Sequence, residues 1–306
     1  MGEGKGYGKV ILINEHFVVY GVPSIVSAIE KVTVARVDRT SGVGWTLDDR
    51  RPATLGYKEE KFEQQRDSID RILRAAGVDV SRAPIRITLE GDLVAASGIG
   101  ASAASCVAIA RAISEEFDFH FSDERINQIA YEGERAYHGT PSGVDNTAAT
   151  YGGLIWFIRG KPIERISIKR PVEVVMGNTG LVANTEAAVA GVRERKQKYP
   201  DKYDKIFREA EELAYMARRA LVGYDLRAVG RLMNRNHELL KAIEVSCKEL
   251  DFLVELARDN GAYGAKMTGG GLGGNMVALT PGKDLQDKVA RAIKKEGFET
   301  LMTRIG

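Results

Sequence analysis

A two-domain α+β fold is what the sequence predicts, and three observations predict it. The chain has 306 residues, its long helical stretches lie apart from its strand-rich ones, and its last third alternates strand, glycine loop, strand, helix, strand. That length suits two modest cores better than one. Helices kept apart from sheet argue for α+β over the strict strand–helix alternation of a parallel-sheet fold. There is no internal repeat and no low-complexity linker. A shift in pattern near Pro171 divides the chain into domains 1–170 and 171–306.

The elements follow in order. "YGKVILI" and "FVVYG" read as two short strands flanking the polar triplet Asn14-Glu15-His16. The apolar run "SIVSAIEKVTVARV" extends the sheet. Residues 58–76 carry Phe62, Ile69, Ile72 and Leu73 at helical spacing. "APIRITLEGDL" alternates, with Ile85, Ile87 and Leu89 on one face. "SGIGASAASCVAIARAI" starts with small residues and ends as an apolar helix. "SDERINQIAYEGERAYHG" is a helix capped by Ser122 and stopped at Gly139. "GTPSGVDNTAATYGG" is a loop whose later part is open to starting another helix. In the second half, "PVEVVMGNTG" reads as strand and turn, and helices run to Asn260. The strand "AYGAKMT", the loop "GGGLGG", the strand "NMVALT", a helix over 284–296 and the strand "FETLMTRI" complete the chain.

Composition narrows the function. Residues are 44% hydrophobic and 28% charged, as in a soluble globular protein. The net charge of +2 and the lack of a basic run argue against nucleic acid or a membrane surface as the main partner. Cys106 and Cys247 suit a reduced compartment as small packing residues. The opening matches neither a secretory signal nor a myristoylation site, and no apolar segment is long enough to span a bilayer. The expected location is the cytoplasm.

Several residues invite chemistry. A helix N-terminus carries unpaired N–H groups and partial positive charge, so Gly98 and Gly100 before Ala101, Ser102 and Ala103 suit an anion as well as a compact helix entry. Walker A and protein-kinase signatures are absent, as are zinc spacings and a nucleophile elbow. "KMTGGGLGGNM" is a second glycine loop, equally readable as a hairpin. On spacing alone Glu134, among Glu132 and Arg135, reads as a solvated helix position, and Asp145 as an N-cap. Equally, both carboxylates suit a metal that prefers oxygen ligands. Lys9 reads as a solvated lysine flanking a strand, and His16 as a semi-buried histidine.

Taken together, and over almost the full chain, these segments resemble the GHMP kinases, the superfamily that includes galactokinase, homoserine kinase and the mevalonate and phosphomevalonate kinases. The three motifs of that family have counterparts here in order. "GKVILINEHFVVYG" is similar to the opening of the mevalonate kinase branch. "SGIGASAA" is similar to the phosphate loop Pro-x-x-x-Gly-Leu-Gly-Ser-Ser-Ala, and "TGGGLGG" to the C-terminal glycine loop. "GERAYHGTPSGVDNTAATYGG" is closer still. Galactokinases carry an aspartate just after Glu-His, where this chain has Val18 and Val19.

The resemblance implies the family's fold, a ribosomal-protein-S5-like N-terminal domain and a ferredoxin-like C-terminal one, and phosphorylation of mevalonate at its C5 hydroxyl. It implies that Ser97, Gly98, Ile99, Gly100, Ala101, Ser102 and Ala103 bind ATP, and that Ser102 and Glu134 hold Mg²⁺. Asp145 would take the hydroxyl proton beside Lys9. Glu15, His16 and Thr185 join those two in contacting mevalonate. Thr268, Gly269, Gly270 and Gly271 would close over nucleotide and substrate. A homodimer is compatible with the family.

Four departures stand out. Val94 replaces the motif's Pro, Ala101 its first Ser, and Leu272 one glycine of the last loop. Asn14 stands where the family has Gly, which leaves open whether its side chain enters a pocket. Two further readings stay open at this point: a kinase of another small alcohol, such as phosphomevalonate, and a non-catalytic sensor of ATP and a metabolite.

Overall fold

The computed structural model describes residues 1–306 apart from Thr54, Leu55, Ala96, Ser97 and Asn184. In chain order the first half forms β1 (Gly2–Ile13), β2 (Ser24–Arg39), β3 (Trp45–Asp49), α1 (Tyr57–Glu60), α2 (Phe62–Ala76), β4 (Ile85–Gly91), α3 (Ala101–Glu116), α4 (Asp123–His138) and α5 (Val144–Tyr151). The second half forms β5 (Leu154–Phe157), β6 (Glu164–Ile166), β7 (Val172–Asn178), α6 (Thr185–Lys198), α7 (Pro200–Val222), α8 (Leu226–Ala242), α9 (Lys248–Asp259), β8 (Gly264–Thr268), β9 (Asn275–Leu279), α10 (Lys283–Lys295) and β10 (Glu299–Ile305). The class is α+β, as the segregation of helices and strands predicted.

Two units result, one of Met1–Lys9 with Ala28–Gly152 and the other of Val10–Ser27 with Gly153–Gly306. This division differs from the one drawn at 170/171. The physical reason is strand pairing: Ser24–Ser27 of β2 lie antiparallel to β5, from Ser24 opposite Phe157 to Ser27 opposite Leu154. Backbone hydrogen bonds thus bind an N-terminal stretch to residues after Gly153.

In the first unit β4 runs antiparallel to β2 and parallel to β3. Ile85, Ile87 and Leu89 turn one face of β4 into a core shared with Ile69, Ile72 and Leu73 of α2 and with Val107 and Ile113 of α3. The Ser122 hydroxyl accepts from the Arg125 N–H at 3.3 Å and starts α4 where the sequence placed it.

Glycines at 2, 4 and 6 share one face of β1, because side chains alternate along a strand. A Cβ on Gly2, Gly4 or Gly6 would run into the carbonyl oxygen of Ala112, Ala108 or Ala104 respectively. Two strand residues advance about 6.7 Å and four helix residues about 6.0 Å, so bare strand backbone and α3 carbonyls stay in step. The strand lies directly on the helix. Gly6→Ala is therefore expected to destabilise the protein by about 3 kcal/mol, read as a lower urea midpoint. A loss below about 0.5 kcal/mol would contradict this packing.

The second unit holds a four-stranded antiparallel sheet in the order β10-β7-β9-β8. Here "FVVYG" differs from the strand expected of it. Phe17–Tyr20 form a 3₁₀ turn closed by Gly21 at φ 83°. Phe17 and Val18 are buried side by side, which an alternating strand would not allow, and Phe17 packs edge-on against Phe207 at 4.9 Å. Strands β3, β5 and β6 went unread: the four residues of β5 are all buried and show no alternation, and β6 has only three residues. Among the described residues no helix is long and apolar enough to cross a membrane. Cys106 and Cys247 are both free.

Candidate active site

In the first unit Lys9 lies against the turn that starts α3. Its backbone N–H donates to the Ile99 carbonyl at 2.8 Å. Gly100 caps α3 at φ 80°, and a Cβ there would sit 2.8 Å from the Lys9 Cγ. Glycine at 100 thus supplies a left-handed helix entry and leaves room for the lysine stem. The Lys9 ammonium, its side chain 6% exposed, reaches Asp145 Oδ1 at 3.1 Å. Asp145 follows Gly143 (φ 86°) in the first turn of α5, so the loop-like "GTPSGVDN" becomes a helix start that aims a carboxylate at Lys9.

Glu134 completes this group. It is 1% exposed, not on a solvated face. It follows Ile126 and Ala130 at four-residue steps along α4, on that helix's buried side. Burial above all, then the nearby Asp145 charge, pushes its pKa up to about 8, and a hydrogen bond from the Ser102 hydroxyl and the Lys9 charge oppose the rise. His138, one turn on, lies 3.8 Å from the same carboxylate. Burial holds that imidazole below its ordinary pKa.

A carboxyl whose pKa rises on folding stabilises the protein at low pH. Without ligand, the contribution of Glu134 is complete below the ordinary value of 4.5 and is lost as pH rises toward about 8. Glu134→Gln stays neutral throughout. The melting temperature of this variant minus that of the parent, measured without nucleotide or divalent cation, should grow from pH 5 to pH 8. A difference flat over that interval would contradict the burial of Glu134 as an acid that favours its proton.

In the second unit the turn after β1 places Glu15 and His16 in the interior, at 1% and 6% exposure. Glu15 pairs with the fully buried Lys266, which also donates to the Met267 carbonyl at 2.6 Å. Burial raises the Glu15 pKa and Lys266 opposes it. Burial lowers the His16 pKa to about 4, so the ring is neutral near pH 7. Glu15 Oε1 and both ring nitrogens of His16 make no hydrogen bond of full geometry among the described residues, the His16 ring having only a loose approach to the Gly270 backbone and the Glu15 carboxylate one to the Thr268 hydroxyl. Native interiors rarely leave such capacity unmet, and a polar ligand would meet it.

The C-terminal glycine loop lies in the same unit. Gly269 and Gly271 adopt φ of 89° and 73°. A Cβ on Gly270 would collide with the Thr185 hydroxyl, so bare backbone lets α6 begin against the loop. Thr268 gives its hydroxyl to β1, donating to the Ile11 carbonyl and accepting from its N–H at 3.1 and 3.2 Å. Leu272, where the motif has glycine, sits at φ 55° and 40% exposure, a strained backbone for a leucine.

The structure thus groups Lys9, Gly98, Ile99, Gly100, Ala101, Ser102, Ala103, Glu134 and Asp145 in one unit and Glu15, His16, Thr185, Thr268, Gly269, Gly270 and Gly271 in the other. Ser97 lies outside the described residues. Sequence reasoning missed Lys266 and His138. The first had a signal, a lysine in the middle of a short strand otherwise buried on both faces. The second lies one helical turn after Glu134.

Comparison with known proteins adds lineage to this geometry. Residues 66–153 match the family model of the GHMP kinases N terminal domain, and residues 217–299 that of the GHMP kinases C terminal region. A mevalonate kinase of Pyrococcus abyssi is 34% identical, the match covering 97% of this chain and 93% of that protein. The Pyrococcus horikoshii mevalonate kinase is likewise 34% identical, over 97% and 93%. The crystal structure of L. major mevalonate kinase in complex with R-mevalonate is similar at a TM-score of 0.94 and 39% identity, covering 100% of this chain and 96% of that one.

Proposed function

The chain belongs to the GHMP kinases and, within them, to the mevalonate kinases, and on that premise we propose that it transfers the γ-phosphoryl group of ATP to the C5 hydroxyl of (R)-mevalonate. The observation that carries the reading is the Lys9–Asp145 ion pair at the entry of α3.

Phosphoryl transfer asks a protein chiefly for positioning and electrostatic stabilisation. The turn at Gly98–Ala103 offers backbone N–H groups and the positive end of α3 to the ATP phosphates. Asp145 accepts the C5 hydroxyl proton as the oxygen–phosphorus bond forms and the bond to ADP breaks. Lys9 offsets negative charge on the transferred group. Glu15, His16 and Thr185 contact mevalonate, with Glu15 Oε1 and the neutral His16 ring supplying buried polar atoms.

Mg²⁺ fits the donors present. Ser102 and Glu134 are oxygen ligands and already hydrogen-bond each other, and no larger cluster of His, Cys, Asp or Glu occurs among the described residues. Mg²⁺ usually takes one or two protein ligands and fills the rest with phosphate oxygens and water. When bound it neutralises triphosphate charge. Glu134 would hold the cation as a carboxylate, without the proton that burial favours in the unliganded protein.

ADP release coupled to a reporter enzyme tests the reading. With saturating ATP and Mg²⁺, mevalonate should give a kcat/KM at least about a hundredfold above that of phosphomevalonate, whose added phosphate meets an uncompensated pocket. A preference for phosphomevalonate would move the chain to another branch of the family, and no ADP from either would mark a sensor.

A further inference from the structure

We propose that Asn236 is a positioning residue for the mevalonate contact at His16, acting through Asn14, which it locks in a left-handed backbone conformation. The inference rests on the reading that His16 meets the substrate.

Asn14 and Asn236 are both fully buried, on the turn after β1 and on α8. They exchange two hydrogen bonds. The Asn14 backbone N–H donates to Asn236 Oδ1 at 3.0 Å, and Asn236 Nδ2 donates back to Asn14 Oδ1 at 2.8 Å. The Asn14 amide then spends its own two N–H bonds on the carbonyls of Pro23 and Ala210, each at 2.8 Å. Its hydrogen-bonding capacity is thus met within the protein, with both amide protons committed. The side chain therefore does not enter a ligand pocket, which settles the question its presence raised.

Its work is conformational. Asn14 sits at φ 73° and His16, two residues later, at φ 60°. A non-glycine residue in that region persists only where its surroundings over-determine it. Asn tolerates left-handed backbone better than most residues, and glycine does so without strain. From inside, the turn is closed by Val18 N–H to the Asn14 carbonyl and Val19 N–H to the His16 carbonyl, both at 3.2 Å. From outside, the Asn236 amide grips both the backbone and the side chain of Asn14. The result is a buried, neutral imidazole whose direction follows from a turn that these hydrogen bonds hold. Where a family member carries glycine at this position, the turn needs no such clamp. Here asparagine needs it.

Steady-state kinetics on Asn236→Ala, His16→Ala, Asn14→Gly and the double variant N14G/N236A test the proposal. Asn236→Ala should raise the KM for mevalonate roughly tenfold while leaving the KM for ATP within about twofold, a split that general loosening of the fold would not produce. Because glycine takes φ 73° freely, the N236A penalty should shrink to about threefold or less in the N14G background. His16→Ala should raise the same KM. If His16→Ala raises it and Asn236→Ala leaves it within about twofold, or if the N236A penalty persists undiminished in N14G, the positioning role is overturned and the His16 contact stands. If His16→Ala itself has no effect, the substrate contact fails and the proposal with it. Should Asn236→Ala not fold, Asn236→Ser, which keeps a polar group and room for a water but is too short to grip Asn14, carries the same expectations.

Discussion

Replacing Asp145 with alanine is expected to lower kcat for mevalonate phosphorylation by about 10³-fold, within the range for loss of a general base, while ATP affinity changes by less than about threefold. The carboxylate stands in the first turn of α5, one-third exposed and 3.1 Å from the Lys9 ammonium. An alcohol becomes a competent nucleophile only as its proton leaves, and this is the carboxylate in the group open enough to receive it. Glu134, the other acid, is 1% exposed and hydrogen-bonded by Ser102. Asp145→Asn is the sharper variant. It keeps shape and room beside Lys9 and removes only the base. Single-turnover measurement with ATP and Mg²⁺ separates chemistry from product release. More than about a tenth of the parent rate in Asp145→Asn would remove Asp145 from that role.

Lys266→Met should be the most destabilising substitution in the second unit, with a loss of about 3–5 kcal/mol in urea unfolding. Lys266 is fully buried, and its charge meets Glu15, itself 1% exposed. Two buried charges repay their desolvation only in each other's company. Removing the cation leaves a carboxylate in an apolar interior, which must either stay charged at high cost or take up a proton. Glu15→Gln in the same chain removes the stranded charge, so the double variant should recover most of the loss. A loss below about 1 kcal/mol for Lys266→Met would mean that water already reaches this pair. Folded Lys266→Met protein should also bind mevalonate poorly, because a protonated Glu15 no longer offers a carboxylate to the substrate.

Local rules reached far into this fold. Alternation found Ile85, Ile87 and Leu89 on the inner face of β4, and capping chemistry found Ser122 and Gly139 at the ends of α4. Where local signals were ambiguous the reading failed. "FVVYG" is apolar enough for a strand, yet left-handed residues at Asn14 and His16 turn the chain before it can extend. The glycines of the opening show no purpose in the sequence alone. Their spacing is legible only beside the helix they lie on, where Ala104, Ala108 and Ala112 present carbonyls at a matching repeat.

The site divides the same way. The glycine turn and its neighbours announced themselves through helix-entry chemistry, and the GHMP likeness supplied roles for Lys9 and Asp145. Charge context alone put Glu134 on a solvated face, although Ile126 and Ala130 share its side of α4 at helical spacing. The Glu15–Lys266 pair and the Asn14–Asn236 exchange join residues more than two hundred positions apart. No window of sequence contains such a pair.

The most direct test is a crystal structure with (R)-mevalonate and a non-hydrolysable ATP analogue. The C5 hydroxyl oxygen should lie about 2.6–3.2 Å from an Asp145 carboxylate oxygen, with the Lys9 ammonium beside both. A well-ordered C5 hydroxyl more than about 5 Å from both side chains, in a complex that turns over when the natural nucleotide is supplied, would contradict the account.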